Sequence, residues 1–140
     1  MAASNIEQFD EIAGKTFAML YEAFPIPIEL PLEEYTGVGG VYANEENATL
    51  THQSKLVMGT LEWLHMSGYI RAKVQPDCGL SNCVLTAKGL ETLKVIPDSL
   101  TTPLGERLKD AVKQGGVEII RTLVSQAFSV GATIGINTLK

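Results

Sequence analysis

The stretch from Thr49 to Val95 constrains the fold more than any other part of the chain, because a helical pattern gives way to a strand pattern within it. Four side chains recur at the spacing of one helical face: Val57, Thr60, Leu61 and Leu64. Thr49 or Thr51 can cap this helix, because a threonine oxygen accepts a hydrogen bond from a free amide of the first turn. Gly68 follows the last turn, where a left-handed residue ends a helix at low cost.

The second half of this stretch predicts a hairpin and another helix. Residues 69–74 are aromatic and β-branched with partial alternation, which is typical of a strand. Turn-forming residues follow between 76 and 82, and residues 83–85 predict a short return strand. Thr86 can cap the next helix, which must end before Pro97.

This order of elements resembles the winged helix-turn-helix superfamily, and in particular MarR-like and PadR-like DNA-binding domains. Two strings carry the resemblance: LEWLHMSGYI at 61–70 and LTAKGLETL at 85–93. The first is similar to the end of a recognition helix that runs into a wing strand, and the second to the end of a wing that runs into the next helix. The resemblance implies an α+β, mostly helical fold with a two-stranded wing. It implies DNA binding less directly, because one fold hosts many functions.

The N-terminal third predicts the elements that precede a recognition helix. A first helix is expected from Asn5 to Phe24, with an apolar stripe on one face: Ile6, Phe9, Ala13, Phe17, Leu20 and Phe24. The proline-rich residues 24–32 predict an extended segment, and residues 32–35 one turn of a short second helix. Residues 36–48 are rich in glycine and asparagine and predict a loop, longer than the turn of a standard helix-turn-helix.

We assign residues 1–100 to a winged-helix domain and residues 101–140 to a C-terminal helical extension. Two helices are expected there, over 104–114 and 117–136, and residues 122–139 carry no charge. Small residues recur every four positions in the last helix, a spacing that lets two helix backbones approach closely. The sequence therefore predicts a homodimer, although packing within the monomer is the alternative. The expected dimer-interface residues are Ala127, Phe128, Gly131, Ile134 and Gly135.

Polar residues on the predicted recognition helix and wing are candidates for nucleic-acid binding. They are His52, Gln53 and Lys55 on the helix, with Arg71 and Lys73 on the first wing strand. Such side chains contact base edges or phosphates. Glu62 on the same helical face and Asp77 at the wing tip oppose a phosphate backbone. The alternative is that these side chains lie on the solvated helix face of a module that binds other proteins.

The net charge of −5 conceals an asymmetry along the chain. Residues 1–48 contain nine acidic side chains and one basic one, whereas residues 49–140 contain ten basic and seven acidic ones. DNA-binding proteins concentrate positive charge to neutralise phosphates. The mild excess in the second part is compatible with DNA binding, whereas the first part repels DNA.

The sequence shows no catalytic constellation, so we expect neither an enzyme nor a cofactor. Cys78 and Cys83, together with two histidines, match no zinc motif, and no metal is expected. The two cysteines are free thiols or a disulfide across the hairpin tip. The polar N-terminal residues contain no signal sequence, so a cytoplasmic location is expected.

The leading hypothesis is a winged-helix DNA-binding protein that acts as a small transcriptional regulator. One alternative is an acidic winged-helix adaptor that binds a protein partner and no nucleic acid. Another is peripheral membrane association through the C-terminal helix. A membrane span is disfavoured, because polar residues interrupt that helix.

Overall fold

The computed structural model describes residues 4–37, 39–44, 46–47, 49–75, 79–96 and 102–139, with backbone alone for residues 75 and 135–139. The fold is α+β and mostly helical. Its elements, in chain order, are α1 Asn5–Ala23, β1 Ile28–Pro31, α2 Glu33–Thr36, β2 Tyr42–Asn44, β3 Thr49–Leu50, α3 His52–Met66, β4 Ile70–Gln75, β5 Gly79–Leu85, α4 Ala87–Lys94, α5 Leu104–Gln114 and α6 Val117–Leu139.

Capping residues set the beginnings of the main helices at the positions that the sequence predicts. Ser4 and Glu7 form a reciprocal capping box at the start of α1. Thr51 accepts a hydrogen bond from an amide of α3, and Thr86 does the same for α4. Gly68, with a φ of 85°, follows the end of α3 in the left-handed conformation.

A three-stranded antiparallel sheet has the strand order β1-β5-β4, so that β5 is central. β5 is longer than predicted, because residues 81 and 82 belong to the strand instead of forming a turn. Asn82 has a φ of 52°, and the register shifts beside it in both pairings. These shifts leave an extra residue on β5, which is the geometry of a β-bulge. Asparagine tolerates a positive φ, the property that makes it common in turns, and here Asn82 adopts it at a bulge inside the strand.

The prediction of a loop over residues 36–48 is wrong in part, because β2 lies within this range and pairs with β3, which follows it directly, in a short antiparallel hairpin. Tyr42 pairs with Leu50, and Asn44 pairs with Thr49. Strands of two and three residues are too short to show alternation, so the sequence contains no strand signal at these positions. The hairpin lies between α2 and α3.

One hydrophobic core joins the N-terminal part to the C-terminal helices. α1 packs against α5 and α6, and α4 packs against α6. Phe17 and Leu20 of α1 are fully buried in the same cluster as Leu108, Val124 and Ala127. The helices α5 and α6 therefore contribute side chains to the main core.

Candidate nucleic-acid interface

The helix α3 has one buried face and one exposed face, as its periodicity predicts. The buried side chains face α1 and the sheet: Ser54, Val57, Met58, Thr60, Leu61 and Leu64. Its N-terminus is tied to the hairpin segment, because Thr51 donates to the Gly40 carbonyl at 2.8 Å and Ser54 donates to the Val41 carbonyl at 2.8 Å. The β2–β3 hairpin thus fixes the position of the first turn of α3.

The three candidate contacts on α3 are all exposed. His52, Gln53 and Lys55 lie in its first turn, on the side away from the core. The amide of Gln53 makes a long hydrogen bond of 3.4 Å to the carbonyl of Tyr35, so it also links α3 to α2. Among the described residues, His52 and Lys55 have no side-chain hydrogen bond of this kind, and both side chains are exposed.

The two candidate contacts on β4 lie on the outer face of the sheet. Arg71 and Lys73 are exposed, and they pair with Val84 and Ser81 of β5. β4 is an edge strand, so both cations project near an open border of the sheet. The predicted wing tip, with Asp77, lies outside the described residues.

The cations of this surface are free of internal ion pairs. No ion pair among the described residues involves Lys55, Arg71 or Lys73. Lys88, by contrast, has contacts within the chain. Its ammonium group donates a hydrogen bond to the Ser67 carbonyl at 2.9 Å and lies 4.4 Å from the centre of the Tyr69 ring.

Exposed acidic side chains lie on α3 and on the elements that precede it in the chain. Glu33 and Glu34 of α2 are exposed, as is Glu46 at the turn of the hairpin. Glu62 is exposed on α3 itself. The candidate surface therefore has basic groups on β4 and acidic groups beside α3, in line with the charge asymmetry of the sequence.

The small-residue face of α6 points into the monomer, which corrects the predicted use of this face for a dimer. Ala127 is fully buried, and Gly131 is buried against Tyr69. Phe128 packs in an aromatic cluster, with its ring centre 5.4 Å from that of Tyr69. Ile134 is partly exposed, and the surroundings of Gly135 lie outside the described residues.

The aromatic cluster also covers the end of α3 next to β4. We define it by its five rings: Phe9, Phe17, Trp63, Tyr69 and Phe128. Trp63 is 45% exposed, while its ring contacts Phe9 at 5.3 Å between centres and Phe128 at 5.4 Å. This tryptophan therefore covers the edge of the core with part of its ring.

A groove between α5 and α6 was not anticipated by the sequence analysis. Arg107 lines two adjoining cavities there, of about 280 and 210 Å³. Its Nε atom is buried and has no hydrogen-bond partner. A basic residue within the amphipathic pattern of α5 was the available signal, but periodicity alone does not show that an arginine lacks a partner.

Cys83 is a buried free thiol within β5. Burial raises its pKa to about 12, and the nearby carboxylate of Glu29 acts in the same direction. Cys78 lies outside the described residues. In the part of the chain that the structure describes, no three His, Cys, Asp or Glu side chains are grouped so that they could hold a metal ion.

No protein-family model, curated protein or solved structure matches this chain. None of the helices within the described ranges is both long and apolar enough to cross a membrane.

Proposed function

We propose that the chain is a winged-helix protein that binds duplex DNA, with a role in transcription regulation. In this proposal α2 and α3 form the helix-turn-helix, and β4 and β5 form the wing. The order α1, β1, α2, α3, β4, β5 supports this assignment, with the β2–β3 hairpin inserted between α2 and α3, and so does the three-stranded sheet. α3 is then the recognition helix, whose first residues approach the base edges of the major groove.

The observation that carries the proposal is the exposure of all five candidate contacts on two adjoining elements. His52, Gln53 and Lys55 are exposed on α3, while Arg71 and Lys73 are exposed on β4. Cations without internal partners can neutralise phosphates and release bound counterions. Polar groups at the start of a helix can contact bases.

The insertion of the hairpin and the acidic groups next to α3 limit the strength of binding. Glu33, Glu34 and Glu46 would lie near the phosphate backbone if the first turn of α3 entered the groove. Repulsion from these carboxylates offsets part of the attraction from β4. We therefore expect weak binding that decreases steeply with salt.

Fluorescence anisotropy with labelled duplexes tests the proposal. Arg71→Ala with Lys73→Ala should weaken binding equally on all sequences and reduce the salt dependence by about two phosphate contacts. The matched control is Lys109→Ala with Lys113→Ala, which removes the same charge from α5. The absence of binding by the parent chain at low salt, with a pool of genomic fragments, would contradict the proposal.

A second candidate function is an acidic adaptor that binds a basic protein partner. The observation in its favour is the group of exposed carboxylates before α3: Glu29, Glu33, Glu34 and Glu46. Glu33→Gln with Glu34→Gln separates the two candidates, because it lowers negative charge on this surface. DNA affinity should rise if DNA is the ligand, whereas capture of a basic partner should be lost if the adaptor hypothesis holds.

Self-association stays a prediction, but it needs a different surface from the one that the sequence indicated. The face with Ala127 and Gly131 is occupied by the chain's own core. The outward side chains of α6 include the apolar Ile119 and the charged Glu118 in its first turn, followed by the small polar Thr122, Ser125 and Ser129. A dimer would have to use this outward face or the exposed edge of the aromatic cluster, and light scattering of the whole chain tests it. Peripheral membrane association through α6 stays a prediction as well.

A further inference from the structure

Three adjoining cavities form a groove along α6 on the side of α5. The cavities of about 280 and 210 Å³ share Arg107, Ile119 and Leu123. A third cavity of about 360 Å³ shares Gln126 with the first. The groove therefore continues along the helix, with Arg107 toward one end.

Arg107 is the unusual residue of this groove. Its buried Nε has no hydrogen-bond partner, and none of the ion pairs among the described residues includes it. Arg121 also has a buried Nε without a partner, but its other nitrogen atoms pair with Glu7 and Glu118. A buried N–H group without an acceptor is costly. Because Arg107 also lines the groove, an anion there would compensate its unpaired positive charge.

The far end of the groove is mainly apolar. Val95, Leu104 and Val130 line the third cavity, together with small polar residues of α6 such as Ser129. A ligand that occupies the whole groove would thus place an anionic group at Arg107 and an apolar body against these side chains. Pockets for small molecules commonly combine apolar walls with a few polar groups that fix the orientation.

We propose that this groove binds a medium-chain monocarboxylate. A guanidinium presents two parallel N–H donors, which match the two oxygens of a carboxylate. Seven residues of α6 separate Thr122 of the first cavity from Ser129 of the third, a span of about 10 Å along the helix. Octanoate has an extended chain of about this length. The proposal that octanoate binds here does not depend on whether the chain binds DNA.

The charges around the groove favour a monoanion over a dianion. Asp110 lines the second cavity and Glu118 lines the first, and both are exposed. Glu118 lies 3.6 Å from a nitrogen of Arg121, so part of its charge is compensated. A ligand's first negative charge is attracted by Arg107. A second negative charge elsewhere in the groove would be repelled by these two carboxylates.

The test is a titration of the isotope-labelled whole chain, followed by amide chemical shifts, with octanoate as the probe. Octanoate should give saturable shifts at residues of α5 and α6 that line the groove. Octanamide has the same shape without the charge, and suberate adds a second carboxylate at the far end. Both should bind at least about tenfold more weakly than octanoate. Octanamide loses a charged hydrogen bond, and suberate adds a second charge.

Two variants test whether octanoate binds through Arg107 and within this groove. Arg107→Gln and Ser129→Phe should each weaken octanoate binding about tenfold, the first by removing the charge and the second by filling the apolar end. The control Lys109→Gln makes the same charge change on α5 and should leave the affinity unchanged. Equal binding of octanoate and octanamide by the parent chain, or no saturable shift at all, would overturn the proposal even if a variant failed to fold.

Discussion

The Tyr69 phenol lies directly against the backbone of Gly131, so that a Cβ on residue 131 would overlap the tyrosine hydroxyl. Gly131 belongs to the last helix, whereas Tyr69 lies at the junction of α3 and β4. The absence of a side chain at 131 therefore lets the C-terminal helix pack against Tyr69, just before β4 begins.

Gly131→Leu should destabilise the monomer by about 1–3 kcal/mol, because the added side chain overpacks a filled site. The control is Ala132→Leu at the next position, which is exposed and should change stability by less than about 0.5 kcal/mol. Urea denaturation measures both. Equal stability of the two variants would mean that Tyr69 moves away easily.

Trp63→Ala should reduce the free energy of unfolding by about 1–2 kcal/mol, since only part of the ring is buried but it contacts other rings. Its 45% exposure makes a larger loss unexpected. Met66→Ala on the same helix is the control, because Met66 is 87% exposed. A loss as small as that of Met66→Ala would show that the aromatic contacts contribute little.

Asn82→Val should destabilise the sheet by about 1–3 kcal/mol, because a β-branched residue tolerates positive φ poorly. Asn82→Gly keeps this conformation accessible and should change stability by less than about 1 kcal/mol. Thermal unfolding of the two variants gives the comparison. If valine and glycine behave alike, the bulge does not depend on residue 82.

Cys83 should resist alkylation in the native protein. A pKa raised from 9.0 to about 12 leaves roughly a thousandth of the ordinary thiolate at pH 8, and the sulfur is also buried. The variant Cys78→Ser leaves Cys83 as the remaining thiol, and mass spectrometry follows iodoacetamide labelling with and without urea. Rapid labelling without urea would show that β5 opens readily.

The same shift makes stability depend on pH in the alkaline range. Because the folded state favours the neutral thiol, the thiol's contribution is fully present below pH 9 and is lost as the pH rises toward 12. Cys83→Ala should therefore lose less stability than the parent chain between these two values. The difference between the two unfolding free energies, measured against pH, checks this sign.

Local signals predicted most of the helices, because capping and periodicity act within a few residues. Thr51 and Thr86 begin α3 and α4 as expected, and the bounds of α5 match those predicted, Leu104 to Gln114. The β2–β3 hairpin was missed because its strands are too short to alternate. Residues 81–82 were assigned to a turn because their composition does not distinguish a turn from a bulge.

The candidate site was also predictable only where local sequence patterns determine it. Exposure of the polar face of α3 follows from its periodicity, and the structure agrees. The partner of Ala127 and Gly131 could not be deduced, since small residues pack equally well within a monomer or between two chains. The missing acceptor at Arg107 likewise depends on how α5 meets α6, which no short pattern encodes.

The contact between α1 and α6 has a consequence for the order of folding. Glu7 and Arg121, which form an ion pair, are 114 residues apart in the chain. The apolar face of α1 thus finds its final neighbours late, after a large loop closes, and contacts of such sequence separation slow folding. Until then, the cover of Phe17 and Leu20 is incomplete, because α6 supplies part of the cluster in which both are buried. A nascent chain that has made α1 but not α6 would present these side chains to chaperones.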